Sequence, residues 1–106
     1  MITRIVKLTF REDTIEAFLD FFDTINTQVS RFEGCRGMRL LRDKHHPERV
    51  FTYSYWESEA ALNNYRDSAL FGKVWPGIKP WFGEKPEAWT VSTYFEDGTF
   101  SANQNG

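Results

Sequence analysis

The sequence predicts an α+β fold in which a four-stranded antiparallel sheet carries both helices on one face. Three observations predict it. Aromatic and small polar residues alternate from Phe51 to Tyr55, as in a strand with two different faces. A segment that suits a helix follows this strand directly. Between residues 14 and 32 apolar residues recur every three or four positions, which is the spacing of an amphipathic helix.

The chain begins with a predicted strand, Ile2–Phe10, and continues into a long helix. Apolar residues lie on both faces of this strand, with Arg4, Val6, Leu8 and Phe10 on one face and Ile5, Lys7 and Thr9 on the other. Asp13 or Thr14 can cap the helix, which we expect from Thr14 to Phe32, with Gly34 ending it. Its apolar stripe consists of Ile15, Phe18, Leu19, Phe22, Ile25 and Val29.

A β-hairpin follows the first helix. Met38–Arg42 and Arg49–Trp56 have strand composition, and the polar residues 43–48, with Pro47 among them, form the turn.

The second half of the chain supplies a helix and a last strand. Ser58 is a suitable N-cap for a helix over Glu59–Arg66, and Ser68 can cap a further short segment, Ala69–Val74. Residues 78–85 form a predicted loop, whose Trp81 and Phe82 should pack as a lid or onto another subunit. Strand composition returns from Glu87 to Phe95. The resulting order, β-α-β-β-α-β, is the split βαβ arrangement of ferredoxin-like folds.

Composition and charge restrict the function. Thirteen basic and fifteen acidic residues are interspersed, so no basic stripe indicates a nucleic acid or an anionic membrane as partner. No apolar run approaches the roughly 20 residues of a membrane span, and no signal core precedes the first strand. A single cysteine fits a reducing compartment. These features predict a cytoplasmic protein.

The chain is 17% aromatic, with ten Phe, four Tyr and four Trp residues. Large rings can simply fill the core of a small domain, or they can line a pocket for a flat ligand. The sequence leaves both interpretations open.

Neither the cysteine nor the two histidines predict a metal site. Cys35 has no histidine or metal-ligand pattern near it, so an inert thiol is expected. His45 and His46 are adjacent at the predicted hairpin tip, where their side chains point apart and no third ligand is near in sequence.

Two passages resemble the antibiotic biosynthesis monooxygenase (ABM) family of dimeric α+β barrels. They are "YWES" followed by "AALNNYRDSALFGKVW", and "FEGCRGMRLLRD" before the hairpin. The resemblance covers roughly residues 1–94. It implies that residues 1–95 form one ABM-like domain and that the bare face of its sheet packs on a second copy. We expect residues 96–106 to be a flexible tail.

The resemblance also bears on whether the protein degrades haem. Members of the family that degrade haem carry an Asn in strand 1, a Trp in helix 2 and a His that binds iron. Val6, Tyr65 and Trp75 occupy these positions here. The indole nitrogen of Trp75 offers no lone pair, so haem degradation is disfavoured.

The resemblance favours a cofactor-independent monooxygenase that acts on a small aromatic or quinol-like molecule, with no cofactor and no metal. The alternative is a non-catalytic dimeric module that binds or senses a small apolar or aromatic molecule. Catalytic residues are not predicted. The residues predicted to line the pocket are Phe22, Asn26, Trp56, Tyr65, Phe71, Trp75 and Trp81. Polar groups considered as oxyanion donors are Asn26, Asn63, Asn64, Tyr53, Tyr55 and Tyr65.

Overall fold

A computed structural model of the chain describes residues 1–99 and gives the predicted α+β arrangement. The elements are β1 (Ile2–Thr9), α1 (Ile15–Ser30), β2 (Cys35–Arg42), β3 (Arg49–Trp56), α2 (Glu59–Arg66), α3 (Ala69–Ile78), a 3-10 turn (Lys79–Trp81) and β4 (Glu87–Val91). All neighbouring strands are antiparallel, in the order β2-β3-β1-β4. This confirms the predicted ferredoxin-like fold, with three helices.

The strands differ from prediction at three ends, and α1 ends at Ser30 rather than Phe32. β1 ends at Thr9 rather than Phe10, which forms only an isolated bridge with Phe82. β2 begins at Cys35 rather than Met38, and an irregularity between Cys35 and Gly37 lets the strand continue with a shifted register. β4 ends at Val91 rather than Phe95, because its pairing with β1 runs only from Glu87 to Val91. The part of the predicted tail from residue 100 to 106 lies outside the described residues.

The serine caps of α2 and α3 are confirmed. The Oγ of Ser58 accepts a hydrogen bond from the backbone N–H of Ala61 over 3.1 Å. The Oγ of Ser68 accepts one from the N–H of Phe71 at the same distance. The second cap starts a helix longer than expected, because α3 continues past Pro76 to Ile78.

Thr14 does not cap α1 with its side chain, contrary to prediction. Its hydroxyl instead donates to the carbonyl oxygen of Trp81 over 2.7 Å and lies 3.1 Å from that of Arg11. Thr14 therefore ties the start of α1 to the turn after α3. That turn is not a free lid: Phe82 packs on Phe10, and Trp81 contacts Phe21 edge-on.

The core lies between the sheet and the helices. Its most buried residues are Leu8, Phe10, Ile15, Phe18, Val50 and Ile78. The opposite face of the sheet carries apolar side chains without a helical cover. Leu41, Trp89 and Val91 on this side are each 40–45% exposed, and the cross-strand pairs Ile5–Tyr53 and Ile5–Trp89 run across its centre.

Gly34 fixes how closely α2 approaches the end of α1. Its φ of +88° is in the left-handed region. A Cβ at this position would lie only 2.5 Å from the Cβ of Ala61 in α2. Two constraints therefore require a glycine here: the positive φ and the short distance to the Cβ of Ala61.

Candidate functional site

A cavity of about 350 Å³ lies between the sheet and the helices. Its floor consists of Arg4, Val6 and Leu8 on β1 together with Thr52, Ser54 and Trp56 on β3. The walls come from α1, α2 and α3, and the start of β4 borders one side. The volume lies within the range of small-molecule sites, which begins at about 300 Å³.

Closely packed rings close the cavity at one end. Phe18 borders the cavity and stacks on Phe10, with ring centroids 4.3 Å apart, and Phe22 packs against Phe18 at 5.9 Å. Phe10 is 1% exposed. This end belongs to the hydrophobic core.

Trp56 closes the other end. It is 1% exposed, and its Nε1–H donates to the Oγ of Ser54 over 3.0 Å. The ring stacks on Tyr65 and contacts Phe32. Because the only polar atom of the indole is satisfied within the protein, Trp56 contributes an apolar wall rather than a free donor.

Tyr65 borders the cavity at the same end. Phe32, Trp56 and Phe71 surround its ring, with centroids 5.2–5.4 Å away. Burial, and to a lesser degree the neighbouring Cys35, raises the pKa of the Tyr65 phenol from 10.0 to about 12. The phenol is therefore protonated at neutral pH and can donate a hydrogen bond.

Three ionisable side chains border the cavity: Arg4, Arg66 and Glu87. Glu87 is paired with Lys7, whose Nζ lies 3.2 Å from the carboxylate. Arg4 donates from Nη1 to the Oγ1 of Thr90 over 2.9 Å. Burial, followed by the charge of Arg66, lowers the pKa of Arg4.

Five of the seven residues predicted for the pocket lie around this cavity: Phe22, Trp56, Tyr65, Phe71 and Trp75. Asn26 does not border it, and its Oδ1 accepts a hydrogen bond from Thr27. Trp81 packs beside Phe21 outside the lining. A role in binding remains a prediction for all seven.

The other polar groups considered as oxyanion donors lie outside this cavity. Asn63 and Asn64 are exposed on α2. Tyr53 and Tyr55 border a second cavity, of about 330 Å³, on the opposite face of the sheet, together with Thr3, residues 91–93 and residues 95–97. Of the candidate oxyanion donors, only Tyr65 faces the cavity under the helices.

Within residues 1–99, no three His, Cys, Asp or Glu side chains form a cluster that could hold a metal ion. His45 and His46 are exposed at the hairpin tip, where their backbone N–H groups donate to Asp43. Cys35 is half-buried with its Sγ 3.6 Å from the carbonyl oxygen of Gly37, and burial raises the pKa of its thiol. A raised pKa disfavours the reactive thiolate.

The three positions that the sequence resemblance aligned with the Asn, Trp and His of haem-degrading family members all border the cavity. Here they hold Val6, Tyr65 and Trp75. The cavity lining described by the structure contains no histidine. These residues do not fit the ligation of haem iron through an imidazole.

Arg4 and Arg66 are two cavity-lining residues that the sequence analysis did not predict for the pocket. Arg4 offered a signal, because it shares a strand face with Val6, Leu8 and Phe10, where a charge is unexpected. Arg66 offered none, since an arginine in the last turn of a helix is ordinary.

Comparison with known proteins gives matches at the level of family and fold. The profile of the antibiotic biosynthesis monooxygenase family matches residues 1–74. No curated protein matches the sequence significantly.

Solved structures resemble the chain over most of its length. A protein from Nitrosomonas europaea, provisionally named an antibiotic biosynthesis monooxygenase, has a TM-score of 0.82 at 18% identity, covering 90% of this chain and 100% of its own. A Mycobacterium tuberculosis protein has a TM-score of 0.81 at 17% identity, with coverages of 90% and 96%. A Bordetella bronchiseptica protein with the same provisional name has a TM-score of 0.78 at 21% identity, with coverages of 89% and 97%.

None of the helices in the described chain has the length and apolar character needed to span a bilayer.

Proposed function

The chain belongs to the antibiotic biosynthesis monooxygenase family, and from this premise we propose that it is a cofactor-independent monooxygenase acting on a small aromatic or quinol-like molecule. The observation that carries the proposal is the aromatic-walled cavity with the protonated phenol of Tyr65 at one end. Apolar walls with a few convergent polar groups are typical of small-molecule sites.

The proposed reaction uses an electron-rich hydroxyarene and molecular oxygen. Loss of the hydroxyl proton to water gives an oxyanion whose negative charge is shared with the ring, and the ring then donates electrons to oxygen. The C–H opposite the hydroxyl becomes a carbonyl, the hydroxyl carbon becomes the second carbonyl, and the other oxygen atom leaves as water. The four electrons that reduce oxygen come from the substrate, so no other reductant is needed.

In this reaction the protein holds the ring and stabilises the oxyanion. Trp56, Phe71 and Trp75 supply flat surfaces against which a fused ring can lie. The Tyr65 phenol would donate a hydrogen bond to the oxyanion in a site partly removed from water, where such a bond is stronger.

We further propose that the chain forms a homodimer through the face of the sheet that has no helices. Leu41, Trp89 and Val91 on this face are each 40–45% exposed. Apolar residues exposed on one face of a sheet favour association. A second copy would cover the patch and leave the helical side free for the ligand.

Oxygen uptake tests the proposed reaction. Purified protein is given a panel of naphthols and anthrones that carry a C–H opposite the oxygen substituent, and the uptake of oxygen is compared with that of buffer. We expect uptake that saturates with substrate and falls about tenfold or more in Tyr65→Phe, which keeps the ring and removes the donor. Tyr94→Phe is the matched control, because Tyr94 is fully exposed and does not border the cavity. Uptake at the buffer rate across the panel would contradict the proposal.

A binding or sensing module is the second candidate. It is favoured by the pairing of Glu87 with Lys7, because Glu87 is the only carboxylate in the described lining and its oxygen is already bonded to the Lys7 ammonium. This alternative predicts that ligands raise the melting temperature while oxygen uptake stays at the buffer rate.

A further inference from the structure

Two arginine side chains border the same end of the apolar cavity. Arg4 comes from β1, opposite Ser54 of β3, and Arg66 is the last residue of α2, directly after Tyr65. The two guanidinium groups are close enough for the charge of Arg66 to disfavour that of Arg4. Both nevertheless remain protonated, because arginine does not lose its proton in proteins.

Neither arginine has an acidic partner among residues 1–99. The five ion pairs of the described chain involve Lys7, Arg11, Arg36, Arg42 and Arg49. The side chain of Arg4 donates to the neutral hydroxyl of Thr90. Helical spacing places Leu62 and Asn63 beside Arg66 on α2, and neither is acidic.

The carboxylate at the border of the cavity does not neutralise this pair. Glu87 lies opposite Lys7 on the neighbouring strand, and the two are bonded over 3.2 Å. The arginine end of the cavity therefore carries two positive charges beside apolar rings. Arg4 is partly buried and Arg66 is exposed, and an anion between the two guanidinium groups would reduce their mutual repulsion.

We propose that Arg4 and Arg66 bind the carboxylate of a flat aromatic acid whose ring lies in the cavity. The planar guanidinium fork matches the two oxygens of a carboxylate. Trp56, Tyr65 and Phe71 lie at this end and provide the surfaces for the ring. The inference rests on the ligand site of the proposed function and names the class of molecule that enters it.

Calorimetric titration at pH 7 with 2-naphthoate and 2-naphthamide tests the proposal. The two molecules have nearly the same shape, and only the first is charged. We expect naphthoate to bind about tenfold or more tightly than the amide. Arg4→Gln and Arg66→Gln should each weaken naphthoate binding by about tenfold and leave the amide unchanged.

Arg31→Gln is the matched control, because Arg31 is exposed, does not border the cavity and carries the same charge. It should bind naphthoate like the wild type. Arg4→Lys is included because Arg4 lies within β1; it retains the charge and loses the fork, and we expect an intermediate affinity. An equal loss in Arg31→Gln would overturn the proposal, since the attraction would then be a general effect of net charge.

The outcomes also separate this inference from the proposed reaction. Equal affinity for naphthoate and naphthamide would overturn the carboxylate site and leave the aromatic pocket standing. A preference for naphthoate that depends on both arginines, without oxygen uptake from any hydroxyarene, would support the carboxylate site and count against the oxygenase. Absence of binding by both molecules would overturn the inference together with the pocket.

Discussion

The indole ring of Trp56 stacks on the phenol ring of Tyr65, with centroids 5.2 Å apart and planes inclined at 26°. Trp56 ends β3, and Tyr65 lies near the end of α2. The contact therefore joins the sheet to the second helix beside the cavity. It also places the one phenol of the cavity lining against an apolar wall, where burial raises its pKa to about 12.

The Tyr65 phenol should make the stability of the protein depend on alkaline pH. Its pKa is about 12 in the folded protein and 10.0 in an unfolded chain. Below pH 10 both states hold the proton and the stabilisation is complete; it is lost as pH rises from about 10 to about 12, because only the unfolded state then releases the proton. We expect a loss on the order of 2 kcal/mol in the free energy of unfolding across this window.

Urea unfolding at a series of alkaline pH values measures this loss. Tyr55 also has a raised pKa, mainly from burial and from the nearby Tyr53, so the decisive quantity is the difference between the wild type and Tyr65→Phe. Tyr94→Phe serves as control, since Tyr94 is exposed. The same pH dependence in wild type and Tyr65→Phe would show that the Tyr65 phenol is not perturbed.

Ser54→Ala should destabilise the protein by about 1–3 kcal/mol, because the buried Nε1–H of Trp56 loses its only partner. Chemical denaturation of Ser54→Ala, Trp56→Phe and the double variant measures the coupling of the two side chains. We expect the double variant to be more stable than the sum of the single effects predicts. Strict additivity would mean that the hydrogen bond contributes nothing.

Gly34→Ala should destabilise the fold by about 2–4 kcal/mol, from the positive φ and from the contact with Ala61 together. The midpoint of urea denaturation reports it. Ala61→Gly in the same chain should restore only the part due to the contact. Gly72→Ala is the control: nothing lies within 4 Å of the added methyl group in α3, so a gain of about 0.5–1 kcal/mol is expected.

Loss of either serine cap should cost about 1 kcal/mol in the free energy of unfolding, because a backbone N–H at the start of a helix loses its acceptor. Ser58→Ala and Ser68→Ala are compared by thermal unfolding with Ser30→Ala, whose hydroxyl only donates to a carbonyl one turn earlier. Ser30→Ala should change stability by less than about 0.5 kcal/mol. Equal effects at all three positions would argue against a capping role.

Trp89→Glu should shift the proposed dimer toward single subunits, because it puts a charge on the apolar sheet face. Sedimentation velocity across micromolar concentrations measures the shift. Asn64→Glu adds the same charge on the exposed surface of α2 and should leave the dimer intact. A wild type that sediments as a folded single subunit would rule out the proposed interface.

Much of the fold was predictable because local patterns and tertiary packing agree. The bounds of β3 and α2 follow from an alternating segment, a serine cap and residues that favour a helix, and no distant contact alters them. The predictions failed where contacts with a segment distant in sequence determine the local structure. Thr14 bonds to the carbonyl oxygen of Trp81, 67 residues away. β4 ends where its pairing with β1 ends, although strand composition continues beyond it.

The sequence by itself determined the order of the elements, the presence of apolar residues on both faces of the first strand and the family to which the chain belongs, because these depend on periodicity, caps and local motifs. Only the tertiary structure decided which rings face a cavity and which fill the core. It excluded Asn26 and Trp81 from the lining and brought Arg4 and Arg66 to one end of it. The physical reason is that enclosure depends on distances between elements remote in sequence, and no local pattern encodes those distances.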